Sequence, residues 1–431
     1  MSPQPATLSP AAPPAAMSPG LTVLVLAMLM GVQPITTDLY LPALPALSES
    51  LGASMSQAQL TLTALLLAFG LSQMVWGPLS DRFGRRPILL LGLSTYMVAA
   101  IGSTFASSME QLILWRIAQG VAMGAGVMCA RAIVRDLYAP AEGARVMSKG
   151  LTGLGIIACA AAPTGGLLAD HFGWRVALLP LTVFSAATLA LVIWRFHETL
   201  PQKNLQALQP RNLVRAWAGI LRHPTFWAFS LLSTASFGGL FTFLASSSFI
   251  FIKVLGLSTT VYGLLMFSMS LSYIAGTFLC RRLLAAFGVR RTVAIAGACS
   301  LFAGTSMGVL ALLGVQNTWA IMLPVYLYMV GHGVHQPCGQ SGAVGPFPKT
   351  AGAASALSGF MMMATAFAMG IWLGSSMAAA ASAGGNVLPL TNGMWFWSVV
   401  LSLTAWTLVQ RHGKSSAAPE RLITQDAPPL A

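Results

Sequence analysis

Two oppositely charged residues, Asp38 and Arg116, lie within long apolar stretches of the sequence. A charge at the centre of a bilayer costs about 2.5–3.5 kcal/mol on insertion scales, so each charge indicates a partner or a function. At 1.5 Å per residue, both positions lie about 10 Å below the outer ends of the helices expected to contain them. The two side chains could form a static ion pair, or they could communicate across a wet cavity.

The second alternative depends on two opposing effects on a carboxyl group. A nearby cation stabilises the carboxylate, whereas removal from water stabilises the protonated acid. A carboxyl group held between these effects can take up a proton from one side of a membrane and release it to the other. We therefore predict that Asp38 carries a coupling proton and that Arg116 adjusts its affinity for that proton.

A further set of polar side chains interrupts an apolar stretch near residue 335. His332 precedes His335 by three residues and Gln336 by four, so a helix places them on one face. Hydrogen-bonded packing, substrate-cavity lining and metal ligation remain open, although a metal site with enzymatic activity needs more converging ligands. We predict cavity lining, together with Phe237 and Phe241 near the midplane of an earlier stretch.

The composition is that of a membrane protein. Of 431 residues, 56% are hydrophobic and 8% charged, and the mean hydropathy is +0.74. A soluble domain carries about 25% charged residues. These values exclude a cytosolic enzyme, a disordered regulator and an ordinary nucleic-acid-binding protein, despite a net charge of +13.

Stretches of about 20 apolar residues predict membrane-spanning helices. There are twelve, which favours an all-α membrane protein with two bundles of six helices. The predicted spans are 20–43, 57–79, 87–106, 110–133, 146–168, 175–196, 226–252, 261–280, 292–313, 318–341, 352–376 and 392–410.

The organisation follows from these spans. We predict a disordered Pro/Ala-rich tail (1–20, with Met17 as an alternative start), an N-terminal bundle (21–196), a cytoplasmic linker (197–225), a C-terminal bundle (226–411) and a cytoplasmic tail (412–431). Placing both termini in the cytoplasm puts 20 of the 23 Lys and Arg residues on the cytoplasmic side, which is the asymmetry of membrane proteins. The five dispersed cysteines support neither a disulfide framework nor a metal site.

An internal repeat connects the two predicted bundles. The loop GPLSDRFGRRP (77–87) and the segment RRLLAAFGVRR (281–291) share Phe-Gly followed by paired arginines, about 205 residues apart. The second copy lacks the aspartate of the first. Duplicated helical units of this kind build many transporters.

The motifs resemble those of the Major Facilitator Superfamily. Residues 77–86 are similar to its motif A, and residues 112–120 (LILWRIAQG) are similar to its motif B. Residues 37–45 (TDLYLPALP) and 131–138 (RAIVRDLY) resemble the Bcr/CflA group of drug:proton antiporters. The antiporter motif C is altered here, because Ala162 precedes Pro163 and Gly165–Gly166 follow one residue early. Pro163, Gly165 and Gly166 still permit a kink and close helix approach.

The resemblance implies site residues. Asp38 and Arg116 would line the central cavity, and we add Tyr40 and Gln119 to that cavity. The motif A loop would act as a gating latch, with Asp81 against a helix of the other half and Arg85 paired with Asp136. Its remaining members are Gly77, Arg82, Gly84 and Arg86. The alternative is a basic loop that only sets topology.

The resemblance also implies a function. We expect proton-coupled export of small drug-like compounds across the bacterial inner membrane by alternating access, with no cofactor, no nucleic-acid partner and a monomeric chain. A dedicated exporter of a sugar or amino acid uses the same scaffold and remains the alternative. A membrane-embedded metalloenzyme that uses His332 and His335 is a more distant one.

Overall fold

The chain folds into helices. The computed structural model describes residues 17–138, 140–200, 202–204, 207–382 and 385–413, and this part of the chain contains no β-strand. Residues 1–16 and 414–431 of the two predicted tails lie outside the described residues. The α-helices are α1 (Pro19–Asp38), α2 (Leu44–Ser50), α3 (Met55–Phe83), α4 (Arg85–Thr104), α5 (Met109–Leu137), α6 (Pro140–Phe172), α7 (Trp174–Arg195), α8 (Pro210–Leu221), α9 (Pro224–Phe249), α10 (Thr259–Leu312), α11 (Thr318–Val344), α12 (Ala351–Ser382), α13 (Leu388–Trp406) and α14 (Leu408–His412).

Each predicted span falls on a helix, and two of them share one. Spans 261–280 and 292–313 both lie in α10, whose 54 residues are interrupted at Gly288 (φ +68°, ψ 176°). Within the described residues, nine segments are long and apolar enough to cross a membrane, and α10 is one of them. At 1.5 Å per residue α10 is about 80 Å long, which is enough for two crossings.

Polar caps set the beginnings of several helices. The Ser54 hydroxyl accepts from the backbone N–H of Gln57, and the Gln57 side chain accepts from the Ser54 N–H. This capping box satisfies donors that the first turn of α3 leaves unpaired. Asn317 similarly caps α11 by accepting from the Ala320 N–H. Such caps fix where a chain enters an apolar helix.

The helices form two compact units. One contains the chain up to Leu213 together with Gly256–Phe267, and the other contains Val214–Leu255 and the chain from Ser268 onward. In the first unit α3 and α4 pack on α5, and α1 packs on α6. In the second unit α9 is central and packs against α11, α12 and α13.

Glycines allow close helix contact in the first unit. A Cβ at Gly120 of α5 would lie 2.2 Å from the Leu65 carbonyl oxygen of α3. A larger residue there would force the two helices apart, because backbone atoms cannot move aside as a side chain does. The contact holds the segment of α5 that carries Arg116 and Gln119 against α3.

Candidate functional site

Asp38 is the last residue of α1, at the point where the long first span changes conformation. Its side chain is partly buried, and its Oδ1 accepts a hydrogen bond of 2.8 Å from the Thr37 hydroxyl. Beyond it the chain forms a 3-10 turn, Leu41–Ala43, and then α2. In the described part of the chain Asp38 has no ionic partner.

Arg116 is fully buried in α5, and neutral groups surround its guanidinium. Nη2 donates to the Thr36 carbonyl oxygen at 3.1 Å, and Nη1 donates to Oε1 of Gln119 at 2.9 Å. The guanidinium carbon lies 3.9 Å from the centre of the Tyr40 ring, a cation–π contact. The Tyr40 hydroxyl in turn donates to Thr61 at 2.7 Å.

These contacts explain why Asp38 and Arg116 do not pair. Arg116 reaches the backbone at Thr36, so the two charges lie at similar depth, as the sequence predicts. However, Thr36 and Tyr40 are four residues apart and lie on the same side of the chain. Asp38 is two residues from each of them, so it lies on a different side. The static ion pair is therefore absent from the described residues, and the effect of Arg116 on the proton affinity of Asp38 stays a prediction.

The glycines of the altered motif C pack beside this site. A Cβ at Gly165 of α6 would lie 2.1 Å from the Leu39 carbonyl oxygen, one residue after Asp38. A Cβ at Gly166 would lie 2.4 Å from the Thr259 carbonyl oxygen, and the Thr259 hydroxyl donates to the Gly166 carbonyl at 3.1 Å. Pro163 lies inside the same helix. Gly165 thus brings α6 into contact with the end of α1 that carries Asp38, and Gly166 brings α6 into contact with the start of α10.

The motif A loop contains a compact ionic network. Arg85 is 1% exposed and bridges two carboxylates: Nη1 lies 2.6 Å from Asp81 Oδ1, and Nε lies 2.8 Å from Asp136 Oδ2. Arg85 also donates to the Ser80 hydroxyl at 2.8 Å. Arg135 lies more loosely beside Asp81, at 3.7 Å. The pair between Arg85 and Asp136 that the resemblance implies is present in the structure.

Glu198 completes this loop and was not singled out by the sequence reasoning. Its Oε1 accepts from the backbone N–H of Arg85 at 2.9 Å, and Oε2 accepts from that of Arg86 at 3.1 Å. Oε1 also accepts from Thr199 and Leu200, each at 3.0 Å. The carboxylate therefore caps the first turn of α4, where an anion is stabilised by unpaired N–H groups.

Gly84 makes room for that carboxylate. Its φ of +109° favours glycine, and a Cβ there would lie 2.5 Å from Glu198 Oε2. The other predicted members surround the network: the Arg86 Nη2 donates to the Ile193 carbonyl at 3.0 Å, and Arg82 lies over Phe83. Gly77 lies near the Met128 side chain. The Glu198 contact joins residues 113 positions apart, so a local motif search has no signal for it.

In the second unit, the polar residues predicted on one face of α11 are buried. His332 Nδ1 lies 2.8 Å from the Ser236 hydroxyl, and the Gln336 side-chain N–H donates to the Ser233 carbonyl at 3.1 Å, so both contact α9. His335 is fully buried, and a Cβ added at Gly331 would lie 2.5 Å from the Ser300 hydroxyl of α10 and 3.7 Å from the His335 ring. His332 and Gln336 thus share contacts with α9, and a common face that also includes His335 stays a prediction.

The predicted aromatic residues are buried. The rings of Phe237 and Phe241 stack with centroids 6.4 Å apart and an interplanar angle of 25°. Tyr40 and Gln119 have no exposed surface in this conformation. Lining of a substrate cavity by these residues and by the α11 histidines stays a prediction.

Comparison with known proteins identifies the family. A sequence model of the Major Facilitator Superfamily matches residues 26–373. The chain is 30% identical over 338 residues to Multidrug resistance protein D of Escherichia coli, covering 78% of this chain and 84% of that protein. It is 28% identical over 357 residues to the Bicyclomycin resistance protein homolog of Haemophilus influenzae, covering 83% and 88% respectively.

Solved structures agree on the fold. A bacterial homologue of the human lysosomal transporter Spinster, in an inward-facing and occupied conformation, superimposes with a TM-score of 0.71 over 91% of this chain and 97% of that one, at 14% identity. A D-xylose–proton symporter superimposes with a TM-score of 0.69 over the same shares, at 15% identity. The chain therefore belongs to the Major Facilitator Superfamily, as a Bcr/CflA-like multi-pass membrane transporter rather than an enzyme.

Proposed function

We propose that this transporter exports small drug-like compounds across the bacterial inner membrane in exchange for entering protons, by alternating access. Its relatives are named for multidrug, bicyclomycin and chloramphenicol resistance. Both termini lie in the cytoplasm in this proposal, and the chain works as a monomer without a cofactor. Its partners are its substrate, protons and lipid.

The observation that carries the proposal is the environment of Asp38. Its carboxyl group lies in a membrane-spanning segment and has a single hydroxyl donor and no ionic partner in the described residues. A proton can therefore bind or leave without first breaking a salt bridge. In an apolar surrounding, the charge of a free carboxylate is costly, and this makes its protonation state sensitive to small changes in access to water.

Arg116 supplies a fixed charge nearby. Its guanidinium is held by the Thr36 carbonyl, by Gln119 and by the Tyr40 ring, so it does not follow changes at Asp38. Protonation of Asp38 changes the net charge of the neighbourhood from zero to +1. A ligand or proton shifts a conformational equilibrium only by its difference in affinity for the two states, and this change in charge provides such a difference.

The end of α1 can pass the change on to α6. The Leu39 carbonyl follows Asp38 directly and lies against Gly165 without an intervening side chain. A movement of the Asp38 backbone is therefore transmitted to α6. In the same unit, the network of Arg85, Asp81 and Asp136 is the proposed latch.

Drug-susceptibility profiling of a pump-deficient bacterium expressing the chain tests this function. Expression should raise the tolerated concentration of several lipophilic or cationic drugs, and Asp38→Asn should abolish that increase at equal membrane abundance. Glu110→Gln is the matched control, because Glu110 is an exposed acid that accepts from Gln57 at 3.2 Å. Transport of a sugar or amino acid, with no drug affected, would instead support the metabolite exporter.

A further inference from the structure

The linker helix α8 presents an apolar edge beside a basic one. Val214 is 59% exposed and Leu221 is 39% exposed, and both lie on the same side of the helix. Arg215 and Arg222 are exposed on the adjoining side. Ile220, by contrast, is buried against the protein. The helix is therefore only partly covered by its own chain.

The depth of α8 is set by the helix that follows it. Only Arg222 and His223 separate its last residue from α9, which is a membrane-spanning segment. The indole N–H of Trp227, in the first turn of α9, donates to the Leu221 carbonyl at 2.7 Å. Tryptophan is enriched where a helix enters the membrane interface. The carboxyl end of α8 therefore lies at the level of the lipid headgroups.

The basic edge has no carboxylate to pair with in its own part of the chain. Residues 199–419 contain no Asp or Glu, although they contain Arg215, Arg222 and ten further Lys or Arg residues. Arg215 and Arg222 form no ion pair in the described residues. Their charge is therefore available to an anion from outside the chain.

We propose that α8 docks on the cytoplasmic surface of the bilayer and binds anionic phospholipid through Arg215 and Arg222. Val214 and Leu221 enter the boundary between headgroups and acyl chains, as in other amphipathic helices that lie in the interface. The arginines then reach phosphate groups at the same depth. This lipid-binding site is a second feature of the protein besides transport, and lipid binding there does not depend on which compound is transported.

Cysteine labelling tests the docking. Val214→Cys and Gly219→Cys place thiols on opposite sides of α8, and a side chain at Gly219 meets no atom within 4 Å. The full chain is reconstituted, with its cytoplasmic side facing outward, into vesicles of purified phospholipid. A membrane-impermeant maleimide should then label Gly219→Cys about tenfold faster than Val214→Cys. The unsubstituted chain serves as the blank for labelling of the native cysteines. Equal rates would overturn the proposal. If Val214→Cys were protected from labelling only when cell extract is present, the protection would indicate a protein partner and would also overturn the proposal.

Lipid selectivity tests the charge. The preference of the full chain for spin-labelled phosphatidylglycerol over phosphatidylcholine should fall several-fold, and at most about thirtyfold, in Arg215→Gln/Arg222→Gln. Arg145→Gln/Lys149→Gln is the matched control, since it removes two exposed basic residues at the start of α6, where Glu142 is close in sequence. An unchanged preference in the α8 variant, or an equal loss in the control, would contradict the assignment.

Discussion

The two copies of the Phe-Gly-arginine turn differ in what surrounds the glycine. Gly84 and Gly288 both have positive φ, +109° and +68°, so the duplicated turn geometry is retained. At Gly84 the space beyond the backbone holds the Glu198 carboxylate, whereas at Gly288 no atom lies within 4 Å of an added Cβ. The two turns thus share a backbone shape, and of the two described turns only the first has carboxylates around it.

This difference assigns the two turns different tasks. The first turn is held by Asp81, Asp136 and Glu198 through charge-assisted hydrogen bonds, which are stronger than neutral ones. The second belongs to a part of the chain with no acidic residue. We infer that the first turn can store and release interaction energy during the transport cycle, while the second is a basic, topology-setting turn.

The largest predicted effect is that of Arg85→Ala. Removing one partner of a buried ion pair costs about 3–5 kcal/mol, because the remaining charges are left without compensation. Arg291, the exposed second arginine of the other turn, has no ion pair in the described residues, so Arg291→Ala should change stability by about 0.5 kcal/mol or less. Thermal unfolding of both variants in one detergent measures this, and equal losses would remove the distinction between the two turns.

Glycine substitution should give the next largest difference. An alanine at either turn is strained by about 1–3 kcal/mol, because both glycines occupy a region of φ/ψ space reserved for glycine. Gly84→Ala must also displace Glu198, so its unfolding midpoint should fall further than that of Gly288→Ala. Similar midpoints would show that the Glu198 carboxylate does not occupy the space beside Gly84.

Glu198→Ala should make the first turn resemble the second. Loss of a helix cap costs about 0.5–2 kcal/mol, and the N–H groups of Arg85 and Arg86 lose their acceptor. Glu198→Gln keeps one carbonyl oxygen and should lose less of both stability and transport rate. If Glu198→Gln is impaired as much as Glu198→Ala, the hydrogen bonds to the backbone are not the cause.

Among the substitutions in the first turn, the smallest effect on stability should be that of Asp81→Ala. Asp81 is 38% exposed and Arg85 keeps Asp136, so the loss should be about 1 kcal/mol or less. Transport should nevertheless slow several-fold if the network is a latch. An unchanged initial rate at equal abundance would leave the loop with a topological role only.

The sequence predicts the helices better than it predicts the contacts between them. Apolar stretches marked every span, because lipid requires long uninterrupted helices. The depth of Asp38 relative to Arg116 also followed from counting residues. Their orientation did not, because the α-helix ends at Asp38 and the chain continues through a 3-10 turn at Leu41–Ala43, which changes the angular spacing of the side chains.

Two further features were beyond sequence reasoning for physical reasons. Glu198 contacts a turn 113 residues away, and only the packing of α7 on α4 brings them together. Gly165 was expected to permit a kink and close helix approach, but that its partner is the Leu39 carbonyl could not be read from the sequence. Both depend on which helices are neighbours, and this is not encoded in any local pattern.

The central claim is that Asp38 carries the coupling proton, and proteoliposomes test it most directly. A transported drug identified by the susceptibility profile is offered with and without a pH gradient. If Asp38 carries the proton, Asp38→Asn should still exchange labelled for unlabelled drug across the membrane but should no longer accumulate the drug against its gradient. Glu110→Gln should both exchange and accumulate the drug. Uphill, gradient-driven accumulation by Asp38→Asn at the rate of the unsubstituted chain would contradict the account.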